Sequence, residues 1–302
     1  MTTFETTIDQ VRDVLKSTGI EFQCDHKIGD HTVTFYVESK KAAIDVVPDV
    51  KFANKRQQQS KTFDLRDNHD VRLISVYNHE WINKRDKLTD LITGALGKYE
   101  KRIYARTCVI ADIDSKTYRS FLEENHLQGA INASSICQGL YTGDMSTLVA
   151  VIGFGPNRFK KDEFELHRYC VHRRWQVTGA FSKMIEHCGI KHFISYIDIA
   201  HFTGNGYKAI GFEQTDISYP SYVYVKDGVV LSRISCQKHK LSKRFKDFDP
   251  NDTETQTMEK HGWTQVFDCG CLKMTYGGTE EQVDEKNDSE AIKSQPKCAD
   301  KN

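Results

Sequence analysis

Glu165 to Phe212 reads ELHRYCVHRRWQVTGAFSKMIEHCGIKHFISYIDIAHFTGNGYKAIGF and alternates strand, glycine turn, helix, strand, glycine turn, helix. Glu165 to Val171 alternates apolar and polar residues as a strand and stops at the basic turn His172-Arg173-Arg174. Phe181, Met184, Ile185 and Cys188 then fall on one face of a helix whose start contains Gly179. Free backbone N–H groups and the positive dipole end at such a start suit an anionic group. His192 to Ile197 is the second strand, with Asp198 at or just past its end. Gly204 and Gly206 loosen the turn before a short helix carrying Tyr207, which Gly211 stops.

This order resembles the core of the GNAT-type N-acetyltransferases. Working outward, Ser115 to Asn125 offers room for two helical segments, Gly139 to Gly155 a hairpin, and Ser221 to Ile234 a final strand pair. In that family the loop between the central strand and its helix follows the pattern Arg or Gln, two residues, Gly, one residue, then Gly or Ala. Here Gln176 and Gly179 fit, while Phe181 stands in the last small position. The resemblance implies that Gln176, Val177, Thr178, Gly179, Ala180 and Ser182 hold acyl-CoA or another small-group donor.

The chain has 302 residues, of which 38% are hydrophobic and 11% aromatic, so it can bury a sizeable core, and its length favours two domains. Absence of a long apolar run or a signal-like start leads to the expectation of a cytoplasmic protein that does not engage membranes. Nine cysteines without a framework fit reduced thiols. The formal charge is zero but uneven: the tail Thr279 to Asn302 is acidic and reads as disordered, while Lys160-Lys161, Arg168 to Arg174 and Arg233 to Lys246 are basic. Basic patches of this kind either bind phosphate backbones or are ordinary solvated surface.

Toward the N-terminus, Ile8, Val11 and Leu15 space out as a helix ending near Gly19. Val33, Phe35 and Val37 alternate as a strand, with Ala42 to Val47 as its hairpin partner. Lys51 to Lys61 is polar enough for a loop or an exposed helix. Val71 to Tyr77 forms a third strand, and Leu88, Leu91, Ile92, Ala95 and Leu96 the face of a helix that ends at Gly97. This series, with RLISVYNHEW and KRIYARTCVI, resembles the very-short-patch-repair-like nuclease domain of phage Hef-like homing endonucleases, a branch of the PD-(D/E)xK fold. FLEENHLQG, GLY, ELHRYC, ISYID and QKHKL extend the likeness to about Tyr276. The resemblance places Thr34 where a metal-binding Asp belongs, Asp45 in the second acidic position, and Lys61 opposite a family lysine. A hydroxyl cannot replace a carboxylate toward Mg²⁺, so a degenerate nuclease is expected, with Asp30 or Asp49 as substitutes under a shifted alignment.

From Tyr104-Ala105-Arg106 onward the chain is also similar to Mom-type phage proteins, GNAT-like enzymes that modify adenine in DNA. The matching residues are His126, Asp198 and Tyr207, which the resemblance makes catalytic: Asp198 orienting a nucleophile or accepting a proton, His126 a base or metal ligand, Tyr207 an oxyanion donor. Singly they read as a helix cap, an N-cap and a core aromatic. Lys238, His239, Lys240, Lys243 and Arg244 share a short helix as candidate DNA contacts, beside Arg173 and Arg174, with Phe245 and Phe248 packing it onto the core. Cys269-Gly270-Cys271, with His261 or Cys236, lacks the paired spacing of a structural zinc site.

The expectation is thus an α+β protein: a degenerate nuclease-like domain at 1–100, a GNAT-like transferase domain at 101–276, and a tail at 277–302. It acts on a nucleobase amine in DNA, with a divalent metal as an open question and self-association compatible with the reading. Two rivals stand beside it, a homing endonuclease that still cuts and a non-enzymatic DNA-binding or inhibitor protein.

Overall fold

The computed structural model describes residues 3–157, 160 and 163–277. The acidic tail from Thr279 and the basic residue Lys161 lie outside them. The Thr3 hydroxyl accepts the Thr6 amide and caps α1 (Phe4–Ser17), which buries Val11 and Leu15 as their spacing predicts. β1 (Gln23–Ile28) is a polar strand that periodicity did not reveal. β2 (His31–Val37) buries Val33, Phe35 and Val37, and β3 (Ala42–Val47) is buried at all six positions. After α2 (Gln57–His69) comes β4 (Arg72–Tyr77), which runs directly into α3 (Asn78–Ala95). The sheet order is β1-β2-β3-β4, antiparallel except for the parallel β3/β4 pair. A parallel pair requires a crossover, and α2 supplies it.

The polar segment near Lys51 is therefore not simply a loop. Its second half opens α2, and Gln58 and Gln59 are buried because their amides have partners: Gln58 Nε2 donates to Asp45 and Ser75, Gln59 Nε2 to the carbonyls of Ser218 and Cys269.

β5 (Lys101–Tyr104) leads to β6 (Val109–Asp112) and to one helix, α4 (Ser115–Asn125), where two segments were expected. Asp114 caps α4 through the Thr117 amide, and its eleven residues leave no room for a second. β7 (Ile136–Tyr141) and β8 (Leu148–Pro156) form the expected hairpin, followed by β9 (Phe164–Val171), a short β10 (Trp175–Thr178) parallel to β5, and α5 (Ala180–Cys188). Next come β11 (Phe193–Asp198), α6 (Asn205–Lys208) and β12 (Phe212–Ile217). β13 (Tyr222–Lys226) and β14 (Val229–Ser232) are the expected strand pair. α7 (Lys238–Arg244), α8 (Glu254–Lys260), β15 (Thr264–Phe267) and β16 (Cys271–Tyr276) complete the described chain.

The large sheet has the order β12-β16-β11-β9-β8-β7-β6. The place beside β11 is thus taken by β16, while β13 and β14 stand apart in a three-stranded sheet with β15. Val47 and Tyr77 of the first sheet share a buried cluster with Phe193, Leu272 and Met274 of the large one, so the two sheets are packed through apolar contact. The molecule is an α+β protein. Among the described residues no helix is long and apolar enough to cross a membrane.

Candidate functional site

β9 and β11 run parallel but are paired only at Glu165 with Ile194 and Leu166 with Ser195. Beyond those pairs the strands diverge, β9 remaining on β8 and β11 on β16. Against Phe154 and Gly153, the partners in β9 are Leu166 and Arg168, so His167 is an extra, bulged residue ahead of the divergence. Parallel strands that separate at their C-terminal ends leave a crevice. Here it is a cavity of about 560 Å³, lined by Arg168, Tyr169, Phe181, Asp198, Tyr207 and His126 among others. The three residues singled out as catalytic therefore meet in one cavity although they come from the end of α4, the end of β11 and α6.

Its walls differ in chemistry. Tyr169 stacks on Phe181 at 4.3 Å between ring centroids, and Phe181 meets the edge of Tyr207 at 4.5 Å, which makes one side flat and aromatic. Arg72, Lys87, Arg168 and Arg173 give the cavity four cationic side chains, two of them from β4 and α3 of the first sheet system. Arg173 pairs with Asp90, and Lys87 Nζ donates to the carbonyls of Glu123 and His126. Tyr207 reaches this position because Gly204, at φ +77°, turns the chain into α6, a conformation that a Cβ would strain.

Asp198 Oδ1 accepts the Ala200 amide at 2.9 Å, and Oδ2 accepts from His201 Nδ1 at 3.0 Å and Gln128 Nε2 at 3.4 Å. Burial works to raise the Asp198 pKa, but His201, the Ala200 amide and Gln128 together outweigh it and the carboxyl lies below its ordinary value. For His201, burial opposes the charge while Asp198 and then Glu80 favour it, and the imidazole is raised to about 10. Burial next to Arg168 and Lys87 pushes His126 down to about 3, so it is neutral at pH 7. Its Nδ1 accepts the Gln128 amide at 3.1 Å, which leaves the proton on Nε2. With Nδ1 engaged by the Gln128 amide, Nε2 of His126 is the ring atom that carries a donor N–H. Burial raises the Tyr207 phenol to about 12 and keeps it protonated.

The proposed donor loop lies elsewhere. Val177 and Ala180 are core residues, Gly179 is the left-handed N-cap of α5, and Ser182 bonds back to the Gly179 carbonyl. Gln176, Val177, Thr178, Gly179, Ala180 and Ser182 do not line the cavity, which ends against the Phe181 ring. The six loop residues are thus separate from the cavity, and Phe181 is the residue of this stretch that reaches its wall. A small-group donor that enters the cavity itself is compatible with the walls.

In the first sheet, Thr34 faces Asp45 across the hairpin. Asp45 accepts from the Thr34 amide and hydroxyl on Oδ1, and from Gln58 Nε2 and Lys61 Nζ on Oδ2, the last at 2.7 Å. No carboxylate is among these partners. Neither substitute joins Asp45 as a metal ligand: Asp49 bonds His79 and Asn78 at the start of α3, and Asp30 sits exposed in the β1–β2 turn. Among the described residues no group of three or more His, Cys, Asp or Glu is placed to hold a metal. Lys61→Met should therefore cost about 3 kcal/mol in urea unfolding, because it strands a mostly buried carboxylate. Mg²⁺ should leave both midpoints unchanged; a rise with Mg²⁺ would reveal a metal site.

Cys269, Cys271, His261 and Cys236 do not form a zinc set either. Cys269 is buried against Tyr77, Cys236 packs with Tyr224 and Leu241, and His261 bonds Asp247 and the Thr257 carbonyl. In α7, Lys238, His239, Lys243 and Arg244 are exposed while Lys240 binds the Ile234 carbonyl. Phe245 and Phe248 pack the helix as expected, and Leu241 is buried with them. Arg174 is paired with Glu100 and Arg173 with Asp90, which ties both to neighbouring carboxylates. The residues that sequence reasoning missed are Arg72, Lys87, Glu80 and His201, of which only His201 lies within the quoted core motif.

No protein-family model matches the chain, and neither does any curated protein sequence. Among solved structures, the catalytic domain of the homing endonuclease I-Bth0305I is similar over 30% of this chain and 93% of that domain, at 23% identity and a TM-score of 0.27.

Proposed function

We propose that the cavity between β9 and β11 transfers a small group to an exocyclic amine of a nucleobase in DNA, and that the first sheet system contributes DNA binding without cleavage. The observation that carries this reading is the meeting of Asp198, His126 and Tyr207 in one cavity with an aromatic wall and four cationic side chains. A flat base suits the rings and its phosphate suits the cations. A base stacked in duplex cannot reach such a cavity and must first be flipped out.

The residues divide the chemistry by protonation state. Asp198, ionised, accepts an N–H of the attacking amine and takes its proton as the new bond forms. His126 Nε2–H and the Tyr207 hydroxyl, both protonated at pH 7, donate to oxygen that gains negative charge. The small-group donor would supply the electrophilic carbon together with a leaving group, which departs with the electron pair of the carbon–donor bond as the carbon–nitrogen bond forms. Asp45, bonded to Thr34, Gln58 and Lys61 and without a second carboxylate beside it, counts against the reading of an endonuclease that still cuts.

The test is mass spectrometry of nucleosides from DNA of cells expressing the wild type or Asp198→Ala. A new nucleoside that appears only with the wild type supports a base-modifying transferase, and its mass identifies the group moved. DNA from several hosts without any new nucleoside would overturn the reading in favour of the non-enzymatic binding protein.

A further inference from the structure

The cavity belongs to the large sheet, yet its acid is held from outside that sheet. β4 is the edge of the first sheet, and the turn after β11 docks on it: the Ser75 amide donates to the Ala200 carbonyl at 2.8 Å, and Arg72 Nη2 to the His201 carbonyl at 3.1 Å. The imidazole of His201, 1% exposed, is thereby fixed between two carboxylates. Its Nδ1 is hydrogen-bonded to Asp198 Oδ2 at 3.0 Å, and its Nε2 lies 3.4 Å from Glu80 Oε2 in the first turn of α3, an ion-pair contact without hydrogen-bond geometry that leaves each of these two buried atoms facing the other as its nearest charged neighbour. Glu80 is itself only partly exposed, with Lys84 Nζ 3.7 Å from its other oxygen. α3 breaks from helical geometry at Lys84, so the segment carrying Glu80 is set apart from the one carrying Lys87 and Leu91.

We propose that Glu80 is a positioning residue for Asp198, acting across the junction of the two sheets through His201. This rests on the reading of Asp198 as the proton acceptor of the cavity. A histidine ring with one carboxylate partner can sit in either tautomer or flip, whereas a second carboxylate beside its other nitrogen favours the imidazolium, with a proton on each nitrogen. The N–H on Nδ1 then holds Asp198 Oδ2 at a fixed angle, and with the Ala200 amide on Oδ1 and Gln128 also on Oδ2 one lone pair of Oδ1 is left for the cavity. Other charged or titratable groups around the pair are Lys84 on α3, Arg72 and Tyr77 on β4, His126 at the end of α4, and Asp268 and Cys269 ahead of β16. None of them meets Nε2 of His201. The first sheet system would therefore set the state of the cavity's acid, and a large-sheet fragment alone would not.

The test uses the full chain with ¹⁵N-labelled histidine, His201 being assigned by the signals lost in His201→Gln. In the wild type both ring nitrogens should remain protonated from pH 6 to pH 8. In Glu80→Gln, which keeps the shape of the side chain, the ring should titrate at least one pH unit lower, and Lys84→Met should leave it unchanged. A neutral wild-type ring at pH 7, or the same titration in wild type and Glu80→Gln, overturns the proposal. These spectra need no catalysis, so they decide it even where no modified nucleoside forms. Where one does form, Glu80→Gln should lower its yield, and more so as the pH rises.

Discussion

Lysine in place of Met274 is expected to leave the chain without a stable large sheet, with the cooperative urea transition lost or shifted far toward zero denaturant. Met274 is fully buried in β16, opposite Ser195 on one side and Gln214 on the other, and it belongs to the cluster of Phe193 and Phe212. An ammonium there has no carboxylate partner, and burying it costs several kcal/mol, a large share of the roughly 5–15 kcal/mol that holds a domain folded. Met274→Ala should cost about 2–5 kcal/mol through lost contact and the cavity left behind. Lys273→Thr, whose side chain lies on the other face of the strand and is partly exposed, should stay within about 0.5 kcal/mol. A wild-type midpoint for Met274→Lys would mean that β16 does not stand between β11 and β12.

The same strand shows where the sequence could be read and where it could not. The run from β9 through α6 was legible because glycines at 179, 204 and 211 mark its turns and because helix and strand periods alternate within one short stretch. Cys271 to Tyr276 alternates too, but nothing local says that a strand ending the described chain inserts beside β11, more than seventy residues earlier; that is decided by which edge has apolar surface left to cover. β1 was hidden because an edge strand with exposed side chains has no apolar period. Gln58 and Gln59 looked like surface residues, since their burial depends on acceptors brought from β3, β4 and the loop before β16. In the site, His126, Asp198 and Tyr207 came from a resemblance, and the fold accounts for their meeting. Arg72, Lys87 and Glu80 were out of reach, because each is an ordinary charged residue until the two sheets pack.

His201→Gln should destabilise the protein by about 3–5 kcal/mol near pH 6, with the loss shrinking on either side of that value, when urea midpoints are followed from pH 4 to pH 10. The glutamine leaves Asp198 and Glu80 facing a neutral amide where an imidazolium stood. The sign of each limb follows from linkage. In the wild type the His201 pKa is raised to about 10 against about 6.5 in the unfolded chain. Its contribution is fully present below pH 6.5 and is lost as the pH rises through 10, at up to about 1.4 kcal/mol per unit. The difference between wild type and variant therefore falls on the alkaline side. Asp198 and Glu80 are depressed in the wild type, so their contribution is present above the unfolded carboxylate range and lost as the pH drops through their folded values. In the variant, without the cation, they take up protons more readily, and the difference falls on the acid side as well. His126 has the opposite sign to His201: held neutral, with its pKa near 3, chiefly by burial, it removes stability as the pH falls below about 6.5 in both proteins, and only its minor coupling to Asp198 differs between them. A difference that stays flat across the range would mean that His201 is neutral in the folded protein and acts there as packing alone. A peaked one would mean that the junction of the two sheets holds a buried positive charge, placed where it keeps the acid of the cavity ionised.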